Sequence, residues 1–166
     1  MCSNSFDRRA MLGSLAGAGL VVSLATSLNP ARAQQNVSQN VTYGLALRGF
    51  DPVAYFTKNK AVKGLPTFTV DYEGATYEFE SEQNKALFAA NPARYVPQYG
   101  GFCAYAASRG YKADIDPHAF AINNGKLYVN FAEQFRDEFQ ADVRANIEKA
   151  DANWTAKVRD MKDVVR

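Results

Sequence analysis

The chain has 166 residues, and 19 basic and 17 acidic side chains give it a formal net charge of +2. Its hydrophobic content of 47% is enough for one folded domain with a buried core. The near-neutral charge argues against a nucleic-acid-binding protein, and one His and two Cys exclude a multi-histidine zinc enzyme and a disulfide-rich scaffold.

Residues 1–33 have the pattern of an export signal. Arg8 and Arg9 precede an uncharged stretch that continues to Arg32, as in twin-arginine signal peptides. A retained membrane anchor is the alternative, but glycines and hydroxyl side chains make the stretch too polar for a good lipid-facing helix. The stretch also ends in Ala-Arg-Ala, a small-x-small cleavage site. We expect the twin-arginine export machinery as a partner, cleavage after Ala33, and a periplasmic protein without a stable membrane anchor.

Cleavage would change both the charge and the cysteine content. It removes three basic side chains and one acidic side chain, so the remaining charges balance and give no field that attracts nucleic acid or a membrane surface. Cys2 is lost, and Cys103 becomes the only cysteine of the exported chain. An internal disulfide is therefore excluded in that form.

The exported chain is predicted to begin with a polar leader, residues 34–43, which is loose at its start. A single domain follows over residues 44–166. Residues 41–47 suit a short strand, and Asp51 followed by proline predicts an N-cap and a helical turn over residues 53–56.

A β-hairpin is predicted next, because apolar and polar residues alternate over 67–73 and 75–80 around Gly74. The alternation places Glu78 and Glu80 on the outward face of a strand. Ordinary surface carboxylates are the simplest interpretation of this pair.

Helices and a second hairpin follow. Ser81 is a good N-cap for a helix that ends at Asn91, before a proline. Residues 102–107 suit a short helix that Gly110 stops. A second hairpin is expected where Asn124-Gly125 favours a tight turn, because this pair accepts positive φ.

The C-terminal part shows an apolar stripe at helical spacing. Asn130 is a plausible N-cap for this long helix, which continues after a break near Asp151. No internal repeat is evident. Short antiparallel hairpins packed against helices, with a long C-terminal helical extension, predict an α+β fold. The stripe consists of Phe131, Phe135, Phe139, Val143 and Ile147, and continues through Trp154, Val158, Met161 and Val165.

Three segments, residues 49–56, 77–81 and 91–103, together resemble the YHS domain family. Later segments, including Asp116-Pro117 and residues 152–154, look like a long, exported branch of that family. The resemblance implies a small α+β domain that is associated with metal binding.

The metal-binding branch of that family carries three thiols that this sequence lacks. Ala54 stands at the position of the first thiol, and Glu80 and Asn84 stand at the other two. A thiolate cage for Zn²⁺ or Cu⁺ is therefore not expected in this chain. The resemblance supports the fold more strongly than it supports the metal.

Cys103 and His118 are the candidate metal ligands. Cys103 follows Gly-Gly at the start of a helix, where unpaired N–H groups would lower the pKa of a thiol. The alternative is that Cys103 is a small buried hydrophobic residue. His118 is the sole imidazole and could act as a second ligand or as a base, but a lone loop histidine is more often simply solvated.

Three functions remain open from the sequence. The first is an exported binding module that holds a metal ion, such as copper, or a small ligand near Cys103. The second is a thiol-based enzyme or redox protein that uses Cys103 with His118 as base. The third is a partner subunit without chemistry of its own. The cofactor and the physiological protein partner are not identified by the sequence.

Overall fold

In the computed structural model, residues 38–166 are described, and the signal and cleavage site predicted for the N-terminus lie outside them. Short antiparallel hairpins packed against helices and a long C-terminal helix confirm the predicted α+β fold. The strands are β1 (Val41–Thr42), β2 (Leu45–Ala46), β3 (Leu65–Tyr72), β4 (Ala75–Phe79), β5 (Lys112–Ala113), β6 (Asp116–Asn123), β7 (Lys126–Asn130) and β8 (Val164–Val165). The α-helices are α1 (Pro52–Lys58), α2 (Glu82–Ala90), α3 (Pro92–Tyr95), α4 (Ala104–Arg109), α5 (Glu133–Ala141) and α6 (Val143–Ala156).

The first half of the domain, residues 45–91, begins with a left-handed turn. Residues 47–49 have φ values of 50°, 53° and 76°, a region that costs free energy for every residue except glycine. Asp51 then caps α1 as predicted, and Asn59, also left-handed, ends the helix. The β3–β4 hairpin and α2 follow, with Ser81 as the N-cap of α2.

Residues 97–142 repeat this order of elements. Residues 99–101 have φ values of 53°, 60° and 75°, and Cys103 then caps α4 as Asp51 caps α1. Left-handed Gly110 ends α4, as predicted. The β6–β7 hairpin and α5 follow. We call residues 45–91 the first repeat and residues 97–142 the second repeat.

The two hairpins match register for register. Leu65↔Phe79 of β3–β4 returns 51 positions later as Asp116↔Asn130 of β6–β7. In both hairpins the register shifts directly after this pair, so the same irregularity in strand pairing occurs twice. The helices α2 and α5 each contain nine residues and also begin 51 positions apart. The expectation that the chain has no internal repeat was therefore wrong.

Each repeat has an aromatic core of its own. Tyr77 packs on Phe88 with ring centroids 4.9 Å apart, and the equivalent Tyr128 packs on Phe139 at 5.3 Å. Both phenylalanines are fully buried. The apolar residues that join the two repeats form a further cluster of Leu47, Tyr55, Ala61, Ile115, Leu127 and Val129.

The apolar stripe at the C-terminus does not form the single helix that its spacing predicts. The N-cap of α5 is Ala132, so Phe131 precedes the helix and the predicted cap, Asn130, instead lies buried at the end of β7. The chain breaks at Asp142, whose side chain accepts a hydrogen bond from the N–H of Ala145 and caps α6.

The end of the stripe also differs from the prediction. The expected break near Asp151 is absent, because α6 continues through this residue to Ala156. Val158 lies in a 3-10 turn after α6, and Val165 lies in β8, which pairs in parallel with β5. Because the four-residue apolar spacing continues past the ends of both α5 and α6, it could not show where either helix ends.

The two chain ends of the described region meet at Lys112. This buried ammonium donates to Ser38 Oγ at 2.7 Å and to the carbonyl oxygens of Arg159 and Met161 at 2.8 and 2.6 Å. Burial lowers the pKa of Lys112. Ser38 and Asn40, at the end of the predicted leader, thus contact the domain, while residues 34–37 lie outside the described part of the chain.

The strand predicted over residues 41–47 is divided in two. The strands β1 and β2 pair as a small antiparallel hairpin with Tyr43 and Gly44 at its turn. Within residues 38–166, no helix is both long enough and apolar enough to cross a bilayer.

Candidate functional site

A buried carboxylate organises the polar part of the first repeat. Asp51 is fully buried, and its Oδ1 accepts hydrogen bonds from the N–H groups of Val53 and Ala54 at 2.8 and 3.2 Å. Its Oδ2 accepts from the N–H of Glu80 at 2.9 Å and from the side-chain amide of Asn84 at 2.7 Å. Asp51 therefore fixes α1, the end of the hairpin and α2 to one another.

The network continues outward from Asp51 to the surface. Asn84 Nδ2 also donates to Glu80 Oε1 at 3.1 Å, and Lys58 Nζ lies 2.7 Å from Glu80 Oε2. The Lys58 side chain is 52% exposed, whereas the Glu80 side chain is 20% exposed. The carboxylate is held by its neighbours, and the ammonium has room to move.

A cavity of about 420 Å³ lies beside this network, at the surface where α1 and α2 approach each other. One side chain of each charge faces it, and the remaining lining is mostly uncharged and polar. The lining residues are Thr57, Lys58, Glu80, Ser81, Gln83, Asn84 and Leu87.

The second repeat places Cys103 where the first repeat has Asp51. Cys103 is 2% exposed, its Sγ accepts from the N–H of Ala106 at 3.4 Å, and it lies 3.8 Å from Asn130 Oδ1. Burial raises the pKa of the Cys103 thiol and outweighs the backbone N–H groups of Ala106, Phe131 and Tyr105, which lower it. The expected lowering at a helix N-terminus is therefore overcome by desolvation.

His118, the other candidate ligand, is in a different environment. Its side chain is on the exposed side of β6, and its ring packs edge-on against Phe50 with centroids 5.4 Å apart. The described residues contain no hydrogen bond between His118 and Cys103. They also contain no group of three or more His, Cys, Asp or Glu side chains placed to hold a metal ion. A joint role for Cys103 and His118 stays a prediction.

A family model described as the YHS domain matches residues 53–99. The matched segment begins inside α1, contains the β3–β4 hairpin and α2, and ends at the start of the second repeat. It supports the resemblance for the first repeat, whereas nearly all of the second repeat lies beyond the match. No curated protein and no solved structure matches the chain significantly.

The YHS resemblance implies a metal, and the positions of its missing thiols are now defined. Ala54, Glu80 and Asn84 all surround Asp51, through the hydrogen bonds from Ala54, Glu80 and Asn84 to its carboxylate. The ammonium of Lys58 contacts the outer oxygen of Glu80, and both amide hydrogens of Asn84 are directed at carboxylates. A positively charged group thus lies beside the carboxylate that faces the cavity. These residues do not fit a soft metal ion.

Sequence reasoning found the positions of this site but not its arrangement. The sequence pattern predicts a surface carboxylate at Glu80 and, at Asn84, only a missing thiol. The outward face predicted for Glu78 is wrong, because this side chain is 6% exposed. The sequence could have indicated the site through Glu80 and Asn84, the two polar residues that replace both thiols of one motif. Lys58 is distant in sequence, and no motif connects it with them.

Proposed function

We propose that this chain is an exported, periplasmic YHS-type binding module that holds a small polar ligand in the cavity between α1 and α2. One observation carries the proposal: Glu80 and Asn84, at the positions of the family's thiols, line this cavity. The buried Asp51 accepts from the backbone N–H of Glu80 and from the side-chain amide of Asn84. Ligand sites combine a concave surface with a few fixed polar groups. The side chains of this cavity provide both features.

The alternatives at Cys103 receive less support from the geometry. A thiol nucleophile or a copper ligand acts as the thiolate, and burial raises the pKa of Cys103. Its sulfur is already used to cap α4. We therefore assign Cys103 a role in packing and capping. A copper site formed with His118 is the alternative, and metal analysis tests it.

Metal analysis of the purified mature protein distinguishes these possibilities. The expected result is less than stoichiometric copper and zinc in the wild type, in Cys103→Ser and in His118→Ala. Stoichiometric copper that is lost in Cys103→Ser would move the function to the thiol. Because Cys103→Ser nearly preserves the size of the side chain, the variant is expected to fold. Its unfolding midpoint, compared with that of the wild type, shows whether a loss of metal results from misfolding.

Ligand binding is tested separately, by recording ¹H–¹⁵N spectra during titration with amino acids, sugars and carboxylic acids. We expect at least one of these classes to shift the amides of Lys58, Ser81 and Asn84. Amides of the second repeat serve as an internal control. If no class shifts the cavity amides, the proposed function is wrong.

Export is tested by fractionation of cells that produce the full chain. Processed protein that starts near Gln34 is expected in the periplasm, and replacement of Arg8 and Arg9 together by Lys should retain the precursor in the cytoplasm. Recovery of an uncleaved chain in the membrane fraction would instead establish the retained anchor.

A further inference from the structure

The cavity between α1 and α2 presents one positive and one negative side chain at its wall, Lys58 and Glu80. From this pairing we propose that the ligand is a small zwitterion of the amino acid class. Glu80 binds its ammonium group, and Lys58 binds its carboxylate. The inference rests on the proposed function and names the ligand class for the same cavity.

Charge balance favours a zwitterion over an ion of either sign. In the structure, Lys58 and Glu80 neutralise each other across 2.7 Å. An anion that engaged Lys58 would leave Glu80 unpaired, and a cation that engaged Glu80 would leave Lys58 unpaired. A molecule with both charges replaces the ion pair with two new pairs, so no charge in the cavity wall loses its partner.

Opening the Lys58–Glu80 pair is inexpensive. Half of the Lys58 side chain is exposed, and ion pairs in contact with solvent contribute little to stability. Lys58 is the last residue of α1, and its long side chain can turn aside without disturbing the helix. The Glu80 carboxylate stays in position, because Asn84 donates to it and Asp51 fixes the Glu80 backbone N–H. The cavity therefore combines one fixed charge with one movable charge.

The rest of the lining is suitable for an amino acid. Thr57, Ser81 and Gln83 provide polar groups, and Leu87, which is 41% exposed, provides an apolar wall for a small side chain. A volume of about 420 Å³ has space for such a molecule with some water.

The second repeat provides a natural comparison. Phe131 and Phe135 stand 51 positions after Glu80 and Asn84, and Phe135 stacks on Tyr105 with centroids 5.7 Å apart. Aromatic rings thus replace the carboxylate and the amide of the first repeat. The zwitterion site is expected in the first repeat and not at the equivalent place in the second.

The first test uses uniformly ¹⁵N-labelled mature protein and the twenty L-amino acids, each titrated separately. At least one should shift the amides of Lys58, Ser81 and Asn84 in a saturable way. The best binder is then compared with its N-acetyl derivative, which lacks the ammonium group, and with its amide derivative, which lacks the carboxylate. Each derivative should bind at least about tenfold more weakly, because each loses one charged contact.

Two variants assign the charges. In Glu80→Gln, the amino acid and its N-acetyl derivative should bind with similar affinity, since the partner of the ammonium is gone. In Lys58→Gln, the amino acid and its amide derivative should become similar. The control is Lys85→Gln, which removes the Lys85–Glu82 pair at the surface of α2 and should change neither ratio. Thermal unfolding of each variant verifies that it is folded.

The outcomes separate this inference from the proposed function. If no amino acid shifts the cavity amides but a sugar or a carboxylic acid does, the zwitterion is wrong and the cavity remains a ligand site. Equal affinity for an amino acid and a singly charged derivative in the wild type also overturns the zwitterion. If no tested class shifts these amides, both proposals fail together.

Discussion

The two repeats share a backbone but differ in what their N-cap positions hold. In the first, a carboxylate at Asp51 receives three backbone N–H groups and the amide of Asn84. In the second, the thiol of Cys103 occupies the equivalent position, where it accepts from the N–H of Ala106 and lies beside Asn130. The same backbone position therefore accepts either a carboxylate or a thiol. Function depends on the residues around it.

The largest expected effect tests whether the two aromatic cores are energetically equivalent. Phe88→Ala and Phe139→Ala should each lower the free energy of unfolding by about 3–5 kcal/mol, because each ring is fully buried and its loss leaves a cavity. Urea denaturation of the two variants measures this loss. A loss below about 1 kcal/mol for either ring would show that its repeat relaxes around the gap.

The next effect compares the two N-cap residues. Asp51→Ala removes the acceptor of four hydrogen bonds at a buried site and should cost about 3 kcal/mol. Cys103→Ala should cost only about 1 kcal/mol, because a neutral thiol is a weaker acceptor and its main contribution is a single cap. Equal losses of unfolding free energy for the two variants, in a denaturant titration at neutral pH, would contradict the expected difference between the two caps.

Local features of the fold could be predicted from the sequence, whereas the repeat could not. Turns and caps were predicted correctly at Asp51, Ser81, Gly110 and Asn124-Gly125, because each depends on one or two residues in a local conformation. The repeat itself was not predicted, since equivalent positions such as Asp51 and Cys103 differ in chemistry. Backbone register, which carries the similarity, leaves no simple pattern of residue types.

The positions of the candidate site could be predicted from the sequence, but its contacts could not. Glu80 and Asn84 could be placed at the lost thiol positions from local motifs, but their contacts with Asp51 and Lys58 join segments that are distant in sequence. Such contacts depend on how α1 packs on α2. Likewise, the raised pKa of Cys103 depends on burial by surrounding elements, which the local Gly-Gly-Phe-Cys pattern does not contain.

A smaller effect concerns an ion pair between the repeats. Arg48, in the left-handed turn of the first repeat, contacts Asp114 Oδ2 at 2.6 Å. Burial raises the pKa of Asp114, but hydrogen bonds from Arg48 and Asn40 outweigh it and hold the pKa below its usual value. The stabilisation is therefore present above the unfolded pKa of about 3.9 and is lost as the pH falls through the lower, folded value.

Asp114→Asn should consequently destabilise the protein by about 1 kcal/mol at neutral pH, since Arg48 is partly exposed. The difference from the wild type should shrink below about pH 4, where the aspartate of the unfolded chain is protonated. Urea titrations of both proteins at evenly spaced pH values, from well below that point up to neutral pH, measure this dependence. A difference that stays constant over that range would attribute the loss to packing instead of charge.

The smallest expected effect concerns Tyr77, the counterpart of Tyr128 in the first repeat. Tyr77 is fully buried, and among the described residues its hydroxyl has no hydrogen-bond partner. Tyr77→Phe removes a polar group that was desolvated without compensation, so stability should be unchanged or should rise by up to about 1 kcal/mol. The matched control is Tyr55→Phe: Tyr55 is equally buried but donates to the carbonyl oxygen of Pro117 at 3.0 Å. That variant should lose about 1 kcal/mol, because it leaves the carbonyl unpaired. A loss in Tyr77→Phe as large as that in Tyr55→Phe would mean that the Tyr77 hydroxyl has a bound water as its partner.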